Sequence, residues 1–395
     1  MWEEKSISDV ANIISGGTPK TAIRQYWDGD ISWLSVKDFS GEKRKVYTTE
    51  KTITKEGLEN SAATLIYEGD IVISARGTVG ELVQVGIPMT FNQSCFGLSA
   101  KKGFINDFIY YALKYYVKRL KAFSNGAVFD TIIRETFTKI KIPVPSLPTQ
   151  QKIADILSAY DDLIENNNRR IEFLEQAAQQ LYKEWFVRFR FPGYEKVHFT
   201  KGIPDGWEFV KLGSVVKINC KSIDKKYKFY DINYIDISSV EHGNILSKTH
   251  YAIEQAPGRA KRIVTDGDVI WSMVRPNLRG YSIILTPEPN DIASTGFAVL
   301  TPKKVPFSFL YYLVTDDSFV DYLSNYARGS AYPAVTSAEF ENAKLLLPPL
   351  ELLSKFHLST EPFFREASIL KQKNQNLIKQ RDLLLPRLMS GKLEV

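Results

Sequence analysis

Cysteine and histidine are scarce in this chain: two cysteines, Cys95 and Cys220, and four histidines, His198, His242, His250 and His357, among 395 residues. Two distant cysteines allow one disulfide but do not resemble a secreted framework; two free, buried thiols and a reducing, cytoplasmic setting are expected. No Cys or His pair has the spacing of a zinc site, so no metal is expected; no cofactor is expected either. Long apolar runs are missing too. None approaches the roughly 18 residues of a membrane span. The amino terminus, "MWEEKSISDV", is charged and lacks the apolar core of a signal peptide. Charge of one sign is not in large excess: 51 Lys and Arg against 45 Asp and Glu leave +6. That balance permits a polyanionic partner without requiring one.

Catalytic signatures are absent as well. The chain has no GxSxG elbow and no GxxxxGK[ST] loop. It also lacks the Gly-rich loop and the Asn/Asp-Pro-Pro-Tyr/Phe motif of adenosylmethionine-dependent methyltransferases, and it has no convincing nuclease signature. "YEGDIVISARGTVG" (67–80) runs a strand into a glycine-bearing turn, but no Lys-Ser/Thr follows, and "ELVQVGIP" reads as another strand. No motif of these enzyme classes is present.

What the chain does contain is itself, twice. "EGDIVIS" (68–74) is echoed by "DGDVIWS" (266–272), and "FIYYAL" (108–113) by "FLYYLV" (309–314). "ISWLSVKDF" (31–39) matches "INYIDISSV" (232–240) in pattern, and "GAVFDTIIRETF" (126–137) matches "GSAYPAVTSAEF" (329–340). The order is shared and the offset stays between 198 and 203 residues, which indicates a duplicated module. Each copy opens with short β-branched and aromatic runs broken by Gly, Pro and Asn, then a helix-like run: an α/β domain.

Each copy closes on a long helix. Ile153, Leu157, Tyr160, Ile164, Asn167, Ile171, Leu174, Ala178, Leu181 and Trp185 step alternately by four and three, a heptad seam. Pro148 marks its first turn, Thr149 is a possible cap, and "FPG" (191–193) stops it. The second copy gives Phe356, Thr360, Phe363, Ala367, Leu370, Asn374, Leu377, Arg381, Leu384 and Leu388. Pro362 is expected to break or restart that helix, and Pro386 to kink or end it. Each seam can pack on its own domain or, as the polar seam members favour, on the other helix as a coiled coil. Asn167 and Asn374 hold neighbouring but not equivalent positions; a buried seam asparagine specifies register.

The loops after the matched strands are basic and divergent: "ARGTVG" with Arg76 and Thr78, and "MVRPNLRG" with Arg275, Asn277 and Arg279. Arg and Asn suit bidentate reading of guanine and adenine edges in the major groove. "SGGTPKT" offers small residues and Lys20 to phosphate. Lys37, Asn92, Ser238, His242, Arg328 and Tyr332 complete the candidate DNA-facing set. Each loop alone reads more safely as a solvated surface turn; taken together over the two copies, the loops favour a DNA-facing surface.

Four stretches carry a resemblance over the whole chain: "ISGGTPKT", "GDIVIS", "LPTQQKIADILSAYDDLIENNNRRIEFLEQAAQQLYKEWF" and "LIKQRDLLLPRLMSGKL". The sequence resembles the specificity (S) subunit of type I restriction-modification enzymes. The resemblance implies two target-recognition domains (1–146 and 192–346) alternating with a central helical spacer (147–191) and a C-terminal helical region (347–395). It implies that the two helices pack antiparallel, that each domain reads half of a split, asymmetric site in double-stranded DNA, and that two methyltransferase (M) subunits dock on the helices. Methylation then belongs to M, translocation and cleavage to the restriction (R) subunits, and none to this chain. A spacer of about 35–40 residues is about 52–60 Å long at roughly 1.5 Å per residue. One DNA turn is about 34–36 Å, so such a spacer can separate two domains by several unread base pairs. The other reading, from a different class, is a coiled-coil assembly scaffold whose domains bind protein.

Overall fold

The structure, a computed structural model, describes residues 2–39, 43–123, 131–224, 227–329 and 331–395. Residues 126–130 of the last repeat match, and residue 330 of its partner, lie outside the described residues. The chain divides into two compact units, Met1–Arg169 with Gln372–Val395, and Arg170–Lys371.

In the first unit a five-stranded sheet runs in the order Ala11–Ser15, Cys95–Ala100, Ile71–Ser74, Leu82–Val85, Lys45–Val46. A second sheet orders Lys51–Ile53, Trp27–Leu34 and Thr90–Phe91, the last two parallel. The second unit repeats the plan. One sheet orders Val216–Ile218, Phe297–Pro302, Val269–Ser272 and Tyr281–Ile283. The other orders Thr249–Ala252, Asp231–Ile235, Asp291–Ser294 and Ala260–Ile263, its middle pair again parallel.

The repeat is one of hydrogen bonds as well as letters. Ile7 N–H donates to Ile140 O at 3.0 Å, and Leu212 N–H to Ala343 O at 2.8 Å. Gly69 N–H donates to Val85 O, and Gly267 N–H to Ile284 O. The "GD" before each matched strand is turn chemistry. Gly69 and Gly267 sit at φ +86° and +84°, where only glycine is unstrained. Asp70 Oδ2 accepts from Tyr67 N–H at 2.9 Å, and Asp268 Oδ2 from Thr265 N–H at 2.7 Å, closing the same turn. The strands that follow, Ile71–Ser74 and Val269–Ser272, are buried at every position. That is why they read as unbroken apolar runs and not as alternating ones.

Two long helices, Leu147–Tyr182 and Leu350–Met389, each give a segment to each unit. Their pairing is antiparallel. In the first unit Asn167 Nδ2 donates to Asn374 Oδ1 at 2.8 Å, Asp161 takes Arg381, and Ile153 and Leu157 share a core with Leu385 and Leu388. In the second unit Ile171 packs with Ala367 and Leu370, and Trp185 lies 5.8 Å from Phe356 between ring centroids. Antiparallel partners need not occupy equivalent repeat positions, so the non-equivalent Asn167 and Asn374 meet. All twenty heptad positions are buried or half-buried. Asn374 Nδ2 also donates to Asn168 Oδ1 at 2.8 Å. Asn167→Leu is expected to cost about 1–3 kcal/mol, because Asn374 then stays buried with an unmet acceptor. A urea midpoint unchanged by this substitution would remove the asparagine pair from the register argument.

Four expectations need correction. The second helix runs unbroken through Pro362; it ends at Met389, three residues after Pro386. Proline in a helix costs about 3 kcal/mol through a lost bond and a clash with the carbonyl four residues back. Here Pro362 and Leu358 are exposed, so water can take the freed carbonyl, while Phe356 and Phe364 anchor the helix on either side. The first helix begins at Leu147, which puts Thr149 inside the first turn and not at the cap; its hydroxyl lies 3.1 Å from that of Ser146. Cys95 is buried, and that burial pushes its thiol up to about 12, but Cys220 is exposed. The helix-like run of the second copy, "FSFLYYLVTDDSFVDYL" (307–323), forms two helices and not one, Phe307–Thr315 and Asp317–Tyr326, because Asp316 caps the second. Among the described residues no helix is long and apolar enough to cross a membrane.

Candidate nucleic-acid interface

In the first unit four loops leave one rim of the paired sheets. Gly17 N–H donates to Phe91 O at 2.9 Å, and Trp33 Nε1 donates to Gly17 O at 2.9 Å, which binds the "SGGTPKT" loop to the strand ends. A Cβ on Gly16 would stand 2.1 Å from Asn92 O, so this glycine serves close backbone approach. The Gly17 amide is used within the fold and is not available to an anion, whereas Lys20 is exposed. Lys37 is exposed on the turn Val36–Asp38, which Ser35 and Asp38 close reciprocally. Asn92 N–H donates to Leu34 O at 2.9 Å, and its Oδ1 accepts from Ser94 N–H at 3.0 Å, so Asn92 shapes the rim. Ala75 N–H donates to Ser94 O at 2.8 Å and brings the tip beside it, where Arg76 and Thr78 are exposed.

The second unit builds the same rim with different tips. Met273 N–H donates to Gly296 O as Ala75 does to Ser94, and Val335 N–H donates to Met273 O as Ile132 does to Ala75. His242, exposed at φ +44°, donates its backbone N–H to Arg279 O at 3.0 Å. Asn277 is exposed at the apex of the turn Pro276–Leu278. Arg328 and Ala334 exchange both backbone hydrogen bonds at 2.9 Å, and this folds the exposed Tyr332 over towards the tip. Ser238 Oγ is held by Asp236 Oδ1 at 2.8 Å. Burial pushes the Asp236 carboxyl up, but the N–H and hydroxyl of Ser238 with the Tyr234 hydroxyl outweigh it and hold it below its usual range.

The two arginines of the tip differ. Arg279 Nη2 donates to Asp317 Oδ1 at 2.6 Å, and this bond raises the guanidinium further above its ordinary range. Arg275 lies over Tyr332, its Cζ 4.4 Å from the ring centroid. From the sequence, Tyr332 stood beside Arg328; the fold gives it to Arg275, across 57 positions. Arg259 was missed. Thr295 N–H donates to its carbonyl at 2.8 Å, which sets this exposed arginine on the second rim. The basic, glycine-bearing run "APGRAKR" (256–262) was the available signal.

The first rim presents Lys20, Lys37 and Arg76 exposed and the second Arg259, Arg275 and Arg328, on a frame fixed by backbone hydrogen bonds. Such a surface can grip phosphate through lysine and read base edges through arginine and asparagine. Among the described residues no group of acids, cysteines and histidines could hold a metal ion.

The model of the type I restriction modification DNA specificity domain matches twice, at residues 1–176 and 204–379. The chain is 29% identical over 411 residues to the type I restriction enzyme MjaIX specificity subunit of Methanocaldococcus jannaschii, covering 100% of this chain and 94% of that one. It is 21% identical over 471 residues to the HindI specificity subunit of Haemophilus influenzae, covering 99% of both. Its fold resembles the crystal structure of the type I restriction-modification S subunit from M. genitalium, with a TM-score of 0.62 and 14% identity over 98% of this chain and 96% of that one.

Proposed function

Because the chain belongs to the type I restriction-modification DNA specificity family, we propose that its two rims read the two halves of one asymmetric, bipartite duplex target. The observation that carries this reading is the doubled frame: the Ala75 and Met273 hydrogen bonds coincide while the tips between them differ. A frame kept twice with two different basic tips suits two different half-sites. In this reading residues 1–146 and 192–346 are the recognition domains, and 147–191 and 347–395 are the helical spacer and its partner. The chain is non-catalytic and cytoplasmic. It directs two methyltransferase subunits, docked on the helices, and the restriction subunits to the target.

Arg76, Thr78, Arg275 and Asn277 are assigned to bases; Lys20, Lys37, Arg328 and Arg279 to phosphate; Asn92, Ser238, His242 and Tyr332 to holding the tips. The test is a band shift of the chain with its methyltransferase partner, using split-site duplex competed by random-sequence duplex over a salt series. A protein scaffold would show no preference for any split site, and that outcome sinks the proposal. Lys20→Ala with Lys37→Ala is expected to weaken binding to all sequences alike. It should lower the slope of log affinity against log salt by about 1–2, at roughly 0.9 per phosphate contact.

A further inference from the structure

In the first unit the tip turns on glycines: Gly77 at φ +76° and Gly80 at +79°. In the second unit the corresponding positions hold arginines, Arg275 at φ +50° and Arg279 at +55°. A side chain in this region is strained, and Arg275 is doubly so because Pro276 follows it and disfavours folded backbone at the residue before. The strain is sustained by three attachments. Arg275 N–H donates to Pro333 O at 2.7 Å, Nη2 donates to Ala331 O at 3.1 Å, and the guanidinium rests on the Tyr332 ring at 4.4 Å. All three come from the segment 331–333, which the Arg328–Ala334 pair holds in place.

These attachments leave the recognition edge open. Nη2 carries two N–H groups, one facing Nε and one facing Nη1. Whichever of them Ala331 takes, one complete two-donor edge of the guanidinium remains. Two parallel donors are what the O6 and N7 acceptors of guanine require in the major groove. Among the described residues no carboxylate pairs with Arg275, whereas Asp317 occupies Arg279 at 2.6 Å. A stacked arginine also loses less freedom on binding, because its plane is already set.

We infer that Arg275 is the guanine-reading residue of the second unit and that Tyr332 is its positioning residue; this rests on the rims being DNA-facing. The chain is co-expressed with its methyltransferase partner in a host free of other methylation, and the methylated genomic sites are mapped by sequencing. The wild-type motif is expected to carry a guanine in one half-site. Arg275→Ala makes that one position degenerate and leaves the others intact. Discrimination there falls about 5- to 140-fold, which is the 1–3 kcal/mol of a bidentate pair converted at tenfold per 1.4 kcal/mol. Arg275→Lys keeps the charge but not the fork and is expected to fail in the same way; it decides the matter if the alanine variant does not fold. Tyr332→Ala relaxes the same position by a smaller factor, while Tyr332→Phe retains the ring and the wild-type motif.

Three results overturn the inference while leaving DNA reading standing. The motif survives unchanged in both Arg275 variants; or methylation falls uniformly at every site, which makes Arg275 a phosphate contact; or Tyr332→Phe fails as Tyr332→Ala does. A wild-type chain that yields no motif overturns the DNA-reading proposal itself.

Discussion

Replacing Arg381 by methionine is expected to destabilise the first unit by about 3–5 kcal/mol, although the new side chain is apolar and of similar reach. Arg381 and Asp161 have side chains only 3% exposed, and Arg381 Nη1 donates to Asp161 Oδ1. Burial works against the arginine's charge, and Asp161 with Asp382 outweighs it. Without the guanidinium, the Asp161 carboxylate stays buried with the Tyr111 hydroxyl, at 2.5 Å, as its remaining described partner. Stranding an ion costs more than the pair contributes, so Asp161→Leu combined with Arg381→Met should recover most of the loss. Urea unfolding followed on the first unit's own peptides measures both. A single-variant loss below about 1 kcal/mol would show that water or a rearranged partner reaches Asp161.

That pair explains one repeated motif. Tyr111 comes from "FIYYAL" and Tyr312 from "FLYYLV", and both hydroxyls reach the first long helix: Tyr111 at Asp161 Oδ2, Tyr312 at Glu175 O, 3.2 Å away. The repeat was legible because both copies keep the tyrosine. Its purpose was not, because the partners lie 50 and 137 positions away. Sequence alone showed what short spacing controls. The strands and the heptads follow from residues within a few positions of one another, and the structure has both. The heptads also marked the buried helix faces, since a 3.5-residue period leaves little choice of inward face.

What failed was local reasoning about residues that tertiary contacts override. Pro362 looked like a break, but the burial of Phe356 and Phe364 on a shared core outweighs one missing hydrogen bond. In the candidate interface the residue types were legible and their states were not. Arg275 and Arg279 look alike in "RPNLRG", yet one lies on Tyr332 and the other is paired with Asp317. Nothing within the loop distinguishes them, because both partners arrive from the segments after residue 315. Arg259 escaped because its run follows no matched strand, and only the Thr295 hydrogen bond reveals its place.

Phe356→Ala is the second large effect, about 3–5 kcal/mol lost from the second unit. The side chain is fully buried, and its ring centroid lies 4.9 Å from Phe186, 5.8 Å from Trp185 and 6.2 Å from Tyr182. Phe186 lies in turn 4.9 Å from Phe309, on the helix after the matched strands. Removing Phe356 therefore opens a cavity where both long helices join the recognition core of this unit, and rings already in contact cannot collapse into it without losing their own packing. Phe356→Leu should cost far less, since it retains most of the volume. Hydrogen exchange reads the difference by position. Amides of Val216–Ile218 and of residues 297–301 should exchange about a hundred- to a few thousand-fold faster, at about 1.4 kcal/mol per factor of ten, while Ala11–Ser15 and Cys95–Ala100 keep their protection. Equal acceleration in both sets would mean that the units unfold as one. Below the melting range the variant should still select the same sequence as the unsubstituted chain, because the ring partners of Phe356 among the described residues, Tyr182, Trp185 and Phe186, are not residues of the rim. A changed motif at low temperature would show instead that the aromatic cluster sets the position of the Met273–Gly280 tip.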